Sequence, residues 1–366
     1  MATLSDETLE NTKHWQDPLH SPHAMQAVIN QDAFPYQRAI NPAFHRVLLP
    51  DSPTESYKCE PEYVRTVVHW GQRKLLLSEI EFLTLIGKND LRGATVVYAG
   101  AGPGTHIPQL TRMFPQIHFI LVDPAPFARE LREMETRLDS RVLLMNRLFT
   151  DELASELAQK YGRIFFVSDI RMEAYEEDPI EEDMAAQMRW HELLGSTRSM
   201  LKFRLPWTKP GSTEYLDGDI YLPVWGRQTT TESRLITKKG APLARRTYHH
   251  DLYNNQMFYF RCYLRPALYP HQVQGVPGLD HCYDCSAEVA ILSHYLSEFA
   301  LPTWGAGAQG VKNGGRRASQ RVARLSNEIT RAIPGGRSLM GKTLTFSHSP
   351  RARRKRTRET SPVGSV

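Results

Sequence analysis

The apolar positions of this 366-residue chain change period along its length. Between residues 64 and 86 they recur at helical spacing. Val64, Val67, Val68, Leu75, Leu76, Ile80, Leu83 and Leu85 form one stripe, with a break at Gly71. Short, continuously apolar runs then predict strands at 94–99, 117–122, 141–145, 163–168, 200–204, 219–224 and 233–237. Helical patterns fill several of the gaps, at 127–138, 151–160 and 181–199. Strands that are apolar throughout are covered on both faces. Their alternation with helices predicts an α/β fold with a mainly parallel, doubly wound sheet. An aromatic-rich stretch, 248–300, ends in an apolar helix near 289–299 and should pack on the same domain.

The flanks differ in composition. Residues 1–60 are rich in Pro, His, Asn and Asp and read as an irregular N-terminal arm. From residue 305 the chain turns to Gly, Ser and Arg and reads as a basic, disordered tail. The expected organisation is therefore an arm at 1–60, one α/β domain at 61–304 and a tail at 305–366. Charge follows the same division. The tail holds 14 of the 45 Lys/Arg and 2 of the 40 Asp/Glu, which leaves 31 against 38 in residues 1–304. An acidic body with a basic tail points to nucleic acid or a transport receptor.

Four cysteines are too few for a disulfide scaffold at this length. Cys282 and Cys285 form one C-x-x-C without a second pair, which favours structural thiols over a zinc site. The N-terminus lacks an apolar signal core, and no apolar run approaches the roughly 20 residues that span a bilayer. The expectation is a soluble, intracellular protein with no membrane contact.

Chemistry concentrates where the first strand ends. Thr95-Val96-Val97-Tyr98-Ala99 runs into Gly100-Ala101-Gly102-Pro103-Gly104, and the second strand ends at Asp123. A glycine-rich turn permits tight backbone and close approach of a ligand, and an acid at the second strand end can accept from ribose hydroxyls. Dinucleotide sites use G-x-G-x-x-G to seat a pyrophosphate. Here the spacing is G-x-G-x-G, and Pro103 removes an N–H donor. The pattern favours S-adenosyl-L-methionine, which has no pyrophosphate, over a nicotinamide cofactor.

Four charged residues fall where the sheet would aim them at a common cleft: Lys74, Asp169, Lys202 and Glu232. Lys202 stands out, because a lysine inside an otherwise buried strand is costly unless paired. Lys74 and Glu232, each taken singly, read rather as solvated charges, and Asp169 reads equally as a cap for the following segment.

The segments around them resemble the poxvirus-type cap-specific mRNA 2′-O-methyltransferase family, whose poxvirus member also serves as a poly(A) polymerase processivity subunit and which includes kinetoplastid cap methyltransferases. The matching pieces are Gly71-Gln72-x-Lys74, Ala94-Thr95-Val96-Val97-Tyr98-x-Gly100-x-x-Pro103-Gly104-Thr105-His106, Ser168-Asp169-x-Arg171, Leu201-Lys202-x-Arg204-x-Pro206 and Glu232-x-Arg234-Leu235. They run in the family's order from 71 to 235. The resemblance implies a Rossmann-like, S-adenosylmethionine-dependent methyltransferase fold and a Lys-Asp-Lys-Glu tetrad of Lys74, Asp169, Lys202 and Glu232. Lys202 would be the general base for a ribose 2′-hydroxyl, with Lys74 as the second cation. No metal is called for. The implied cofactor residues are Gln72, Tyr98, Gly100, Gly104, Asp123 and Asp169; Gly102 joins them from the turn pattern alone. Where the poxvirus enzymes carry an arginine after the second-strand acid, this chain has Ala125.

The implied substrate is m7G-capped RNA, held by Tyr57, Arg204, Trp207 and Arg234, with Arg171 as a further candidate for phosphate. Trp207 matches one of the two aromatics that grip the methylated guanine. The second falls at Thr229, and acidic cap contacts fall at Lys209 and Asn254. Tyr248 and Tyr253 are the available replacements. The cluster Arg351-Ala352-Arg353-Arg354-Lys355-Arg356-Thr357-Arg358 reads as a nuclear import signal or an RNA contact, implying a nuclear location, an import receptor and RNA-processing partners. Alternatives of other classes are a non-catalytic cap-binding or polyadenylation subunit, a structural-RNA 2′-O-methyltransferase and a nucleotide-linked oxidoreductase.

Overall fold

A computed structural model describes residues 42–57, 71–171, 178–226, 231–265, 267, 269–276, 279, 281–299 and 314–333. In chain order the elements are α1 (Gly71–Ile86), α2 (Lys88–Leu91), β1 (Thr95–Ala99), α3 (Ile107–Met113), β2 (His118–Val122), α4 (Arg129–Glu135) and β3 (Val142–Met145). Next come α5 (Asp151–Lys160), β4 (Ile164–Ser168), α6 (Asp178–Leu193), β5 (Arg198–Phe203), β6 (Ser212–Leu216) and β7 (Gly218–Tyr221). The remainder is β8 (Ser233–Thr237), β9 (Arg245–His249), α7 (His250–Tyr259), a π-helical turn (Phe260–Leu264), α8 (Tyr283–Phe299) and α9 (Gly314–Ala332).

Seven strands form one sheet in the order β3-β2-β1-β4-β5-β8-β7. β1 pairs in parallel with β2 and β4, placing Val97 beside Ile120 and Phe166. β2–β3 and β4–β5 are also parallel, whereas β8 runs antiparallel to both β5 and β7. Every residue of β1, β4 and β8 is buried, as the largely apolar side chains of β1 and β4 require at a sheet centre; β8 also buries Arg234. The order doubles back at β1, and ligands in such sheets bind beyond the carboxyl ends of the strands at that switch point. Parallel strands outward from β1 with one reversed strand near the edge give the Rossmann-like methyltransferase fold.

The seven strands expected from apolar runs are all present, with no end moved by more than three residues. The separate antiparallel pair β6–β9 was not expected. Its members Ser212-Thr213-Glu214-Tyr215-Leu216 and Arg245-Arg246-Thr247-Tyr248-His249 are too polar to read as buried runs. Helix α1 is described from Gly71 onward; residues 58–70 lie outside the described residues. Residues 46–48 lie along the edge of β7, with Leu48 N donating to Ile220 O (2.8 Å) and Leu222 N to Arg46 O (2.8 Å).

The largest departure is at the C-terminus. Helix α9 lies inside the segment read as a disordered tail. Val322, Leu325, Ser326, Ile329 and Ile333 are buried, a stripe at helical spacing that the surrounding arginines conceal. Helix α8 contacts both α1 and α9. The 351–358 cluster lies outside the described residues.

Candidate active site

Topology delivers the four charged residues to one place. Asp169 follows the last residue of β4, Lys202 is near the end of β5, Glu232 immediately precedes β8, and Lys74 lies in the first turn of α1. Lys74 Nζ is 3.0 Å from Glu232 Oε1. Lys202 Nζ is 3.2 Å from Asp169 Oδ1 and 3.7 Å from Glu232 Oε2, and donates to the Asp169 carbonyl at 3.2 Å. The two lysines and two carboxylates thus alternate around a single focus. Their side chains are 10–19% exposed, so the cluster is buried but reachable.

Two residues that sequence reasoning cast otherwise, or missed, hold this cluster. Arg234 was expected to face the RNA. Its guanidinium instead spans both carboxylates, with Nη2 2.6 Å from Asp169 Oδ1 and Nη1 3.1 Å from Glu232 Oε1. Gln187, buried on α6, was missed. Its amide donates to Lys202 O and accepts from Lys202 N, both at 3.1 Å, where β4 no longer pairs with β5. A polar residue in the buried stripe of α6 was the available signal.

The charges tune one another. Burial lowers the pKa of the Lys74 ammonium; Glu232 opposes that and Arg234 reinforces it. Burial works against ionised Glu232, but Lys74, Lys202 and Arg234 outweigh it and hold this carboxyl well below its ordinary value of 4.5. Asp169 is likewise lowered from 3.8, against burial, by Lys202, Arg234 and Lys74. Depressed carboxyl pKa values stabilise the fold above their unfolded values, and that contribution is lost as pH falls through the folded ones. Urea midpoints of the protein are therefore expected to drop as pH falls below about 4.5. In Glu232→Gln the drop should be shallower. Parallel curves for the two proteins would show that Glu232 does not carry the effect.

The glycine turn lies beside this cluster. Gly100 (φ +78°) and Gly104 (φ +67°) occupy the left-handed region. A Cβ on Gly100 would sit 2.9 Å from Ile170 N, and one on Gly102 would sit 2.7 Å from Asp123 Cγ. These glycines thus serve close packing between strand ends. Asp123 is held from both sides, by Gly102 N (2.8 Å) and Ala125 N (2.7 Å), which leaves each carboxylate oxygen a further acceptor position. Gln72 Oε1 accepts from Thr105 Oγ1 (2.7 Å) and lies 2.8 Å from His106 Nδ1. Its amide nitrogen makes no hydrogen bond among the described residues. Tyr98 is buried; desolvation first, then Glu79 and Asp169, keep its hydroxyl protonated.

The expected cap residues divide. Tyr57 and Trp207 come together, ring centroids 5.8 Å apart, and Tyr57 also packs edge-on against Phe258 at 5.7 Å. Tyr248 and Tyr253, the suggested replacements, are buried core instead: Tyr248 Oη donates to Leu216 O, and Tyr253 Oη to Thr231 O. Asn254 is committed to Pro206 O at 2.7 Å, and Lys209 pairs with Glu181 at 3.6 Å. Arg204 is half-buried one residue after β5. Thr229 lies outside the described residues. Arg171 pairs with Asp183 at 3.6 Å. Cys282 and Cys285 are buried at the start of α8, and no group of three His, Cys, Asp or Glu among the described residues could hold a metal ion.

Comparison with known proteins adds a lineage to this geometry. A family model described as "Poly A polymerase regulatory subunit" matches residues 51–275. The cap-specific mRNA (nucleoside-2′-O-)-methyltransferases of Myxoma virus, strains Lausanne and Uriarra, are each 27% identical over 187 residues, 47% of this chain and 53% of theirs. The chain thus spans about half the length of the curated relatives it matches. Among solved structures, an antibiotic related methyltransferase aligns over 50% of this chain and 96% of its own, at 12% identity and a TM-score of 0.23.

Proposed function

From the premise that the chain belongs to the poly A polymerase regulatory subunit family, we propose that it is a cap methyltransferase. In this reading it transfers a methyl group from S-adenosyl-L-methionine to a ribose 2′-oxygen of m7G-capped RNA, the first transcribed nucleotide being the favoured target. The observation that carries the proposal is the alternation of Lys74 and Lys202 with Glu232 and Asp169 at the carboxyl ends of the strands. A 2′-hydroxyl is a weak nucleophile and must lose its proton as it attacks. The set supplies a proton acceptor and a neighbouring cation, each held by a carboxylate.

The residues at the glycine turn fit the proposed cofactor. Asp123 offers acceptors for ribose hydroxyls, and the unengaged amide nitrogen of Gln72 offers a donor for a carboxylate. Gly100, Gly102 and Gly104 form the turn between them, with Tyr98 and Asp169 at the adjoining strand ends. When bound, the cofactor supplies an electrophilic methyl group on sulfonium. Lys202 in its neutral form accepts the hydroxyl proton. Lys74 offsets negative charge developing on the oxygen, and Arg234 keeps both carboxylates aligned. Holding hydroxyl and methyl in line contributes most of the remaining acceleration. Tyr57 and Trp207 offer aromatic surface to the cationic base, and Arg204 a contact for phosphate. The 351–358 cluster supports a nuclear location through an import receptor and work alongside RNA-processing proteins. Loss of nuclear accumulation on neutralising that cluster would test it.

Asp123→Asn removes charge from the ribose contact. It is expected to raise the cofactor Kd roughly tenfold or more, since hydrogen bonds to charged groups contribute about 1.5–3 kcal/mol. Calorimetric titration measures this; an unchanged Kd would remove Asp123 from the site. Labelled methyl transfer to RNAs differing only at the 5′ end, with nuclease mapping of the modified ribose, tests the function itself. A second reading, a non-catalytic polyadenylation subunit, draws on the family description. It would gain if folded, cofactor-binding protein transferred nothing to any capped RNA.

A further inference from the structure

Helix α9 is anchored on one side and charged on the other. On the inner side Arg73, fully buried between Gln72 and Lys74 in sequence, pairs with Glu288 and donates to Thr330 Oγ1 at 3.1 Å. Ser326 Oγ donates to the same Glu288 at 2.6 Å. The helix is therefore fixed to the element that carries Lys74. On the outer side Arg317, Arg321, Arg324, Glu328 and Arg331 recur at intervals of three and four and form one stripe. Arg317, Arg324 and Arg331 are exposed, and Arg321 is half-buried. The stripe's acid, Glu328, is paired with Arg324 at 3.0 Å.

We propose that this stripe is an RNA-binding surface that takes the phosphate backbone beyond the cap-proximal nucleotides. The proposal rests on the RNA reading above. Charge complementarity selects the occupant: four cations stand on a helix docked to a body that is net acidic over residues 1–304. Surface membrane helices need an apolar face for the bilayer. The apolar face of α9 is spent on the core, through Val322, Leu325, Ile329 and Ile333. Successive arginines seven residues apart are separated by about 10 Å along the axis. They present a line of guanidinium groups, well suited to phosphate oxygens. Because the inner face is anchored, this line stands at a fixed position relative to α1.

The test uses full-length protein with Arg317, Arg321, Arg324 and Arg331 all changed to glutamine, which keeps helix propensity and length. Binding of a labelled long capped RNA and of a capped dinucleotide is read by fluorescence anisotropy across salt concentrations. The long RNA is expected to bind about tenfold more weakly at low salt, with its log–log salt slope reduced by about two. The dinucleotide should be unaffected. Glu328→Gln, which removes the stripe's acid, should tighten long-RNA binding. Equal affinities and slopes for all three proteins would overturn the proposal, as would equal weakening of long RNA and dinucleotide. So would a charge-dependent affinity for acidic peptide but not for RNA. These readouts do not require turnover. Absence of methyl transfer with an intact stripe effect would therefore sink the catalytic reading alone.

Discussion

Lys202→Ala is expected to lower kcat for methyl transfer by roughly 10²–10⁴-fold, the range general acid–base groups contribute. The cofactor Kd should stay within a factor of about three, since the proposed cofactor contacts are made by other residues. The expectation follows from position. Like Arg234, Lys202 Nζ lies within reach of both carboxylates, and its backbone is clamped by Gln187 from α6. Removing the side chain leaves Asp169 and Glu232 with Arg234 and Lys74 as partners, so the site should keep its shape while losing the proton acceptor. Lys74→Ala supplies the contrast. Burial lowers the Lys74 pKa, so this lysine is the more readily deprotonated than an ordinary one. If Lys74→Ala proved the more damaging change and moved the acidic limb of the kcat profile, the base would be Lys74. A Lys202→Ala enzyme of undiminished kcat would end the assignment.

Glu288→Ala should be strongly destabilising, although the residue lies outside the Lys74-Asp169-Lys202-Glu232 cluster. Glu288 is fully buried and accepts from Arg73, Ser326 and Trp225, the last at 3.0 Å. Truncation strands the Arg73 guanidinium, whose side chain is 0% exposed. Breaking a buried pair in this way costs about 3–5 kcal/mol. Denaturant unfolding would record it. The consequence should extend to the site, because Arg73 lies between Gln72 and Lys74, so both cofactor affinity and kcat should fall. A loss below about 1 kcal/mol would mean the pair is dispensable.

The sheet was legible in the sequence because it is built from runs such as Phe165-Phe166-Val167 that are apolar on both faces. Burial on two sides leaves a local signature that needs no knowledge of the partners. The positions of Gly100, Asp123, Asp169 and Lys202 followed, since a strand end is itself a local feature. Helix α9 and the β6–β9 pair escaped for the opposite reason. Each buries a narrow stripe or a single face, and composition dominated by arginine or polar residues hides that pattern.

The sequence by itself determined the chain order of the seven strands of the main sheet, the glycine turn and the four charged residues that family resemblance singles out. Only the tertiary structure decided how those charges are held. Arg234 bridges Asp169 from 65 positions away, and Arg73 finds Glu288 at a separation of 215. It also showed that Tyr248 and Tyr253 are core, while Tyr57 and Trp207 meet. Ion pairs and ring contacts depend on distance in space, which the crossovers of the sheet set and which periodicity along the chain does not record.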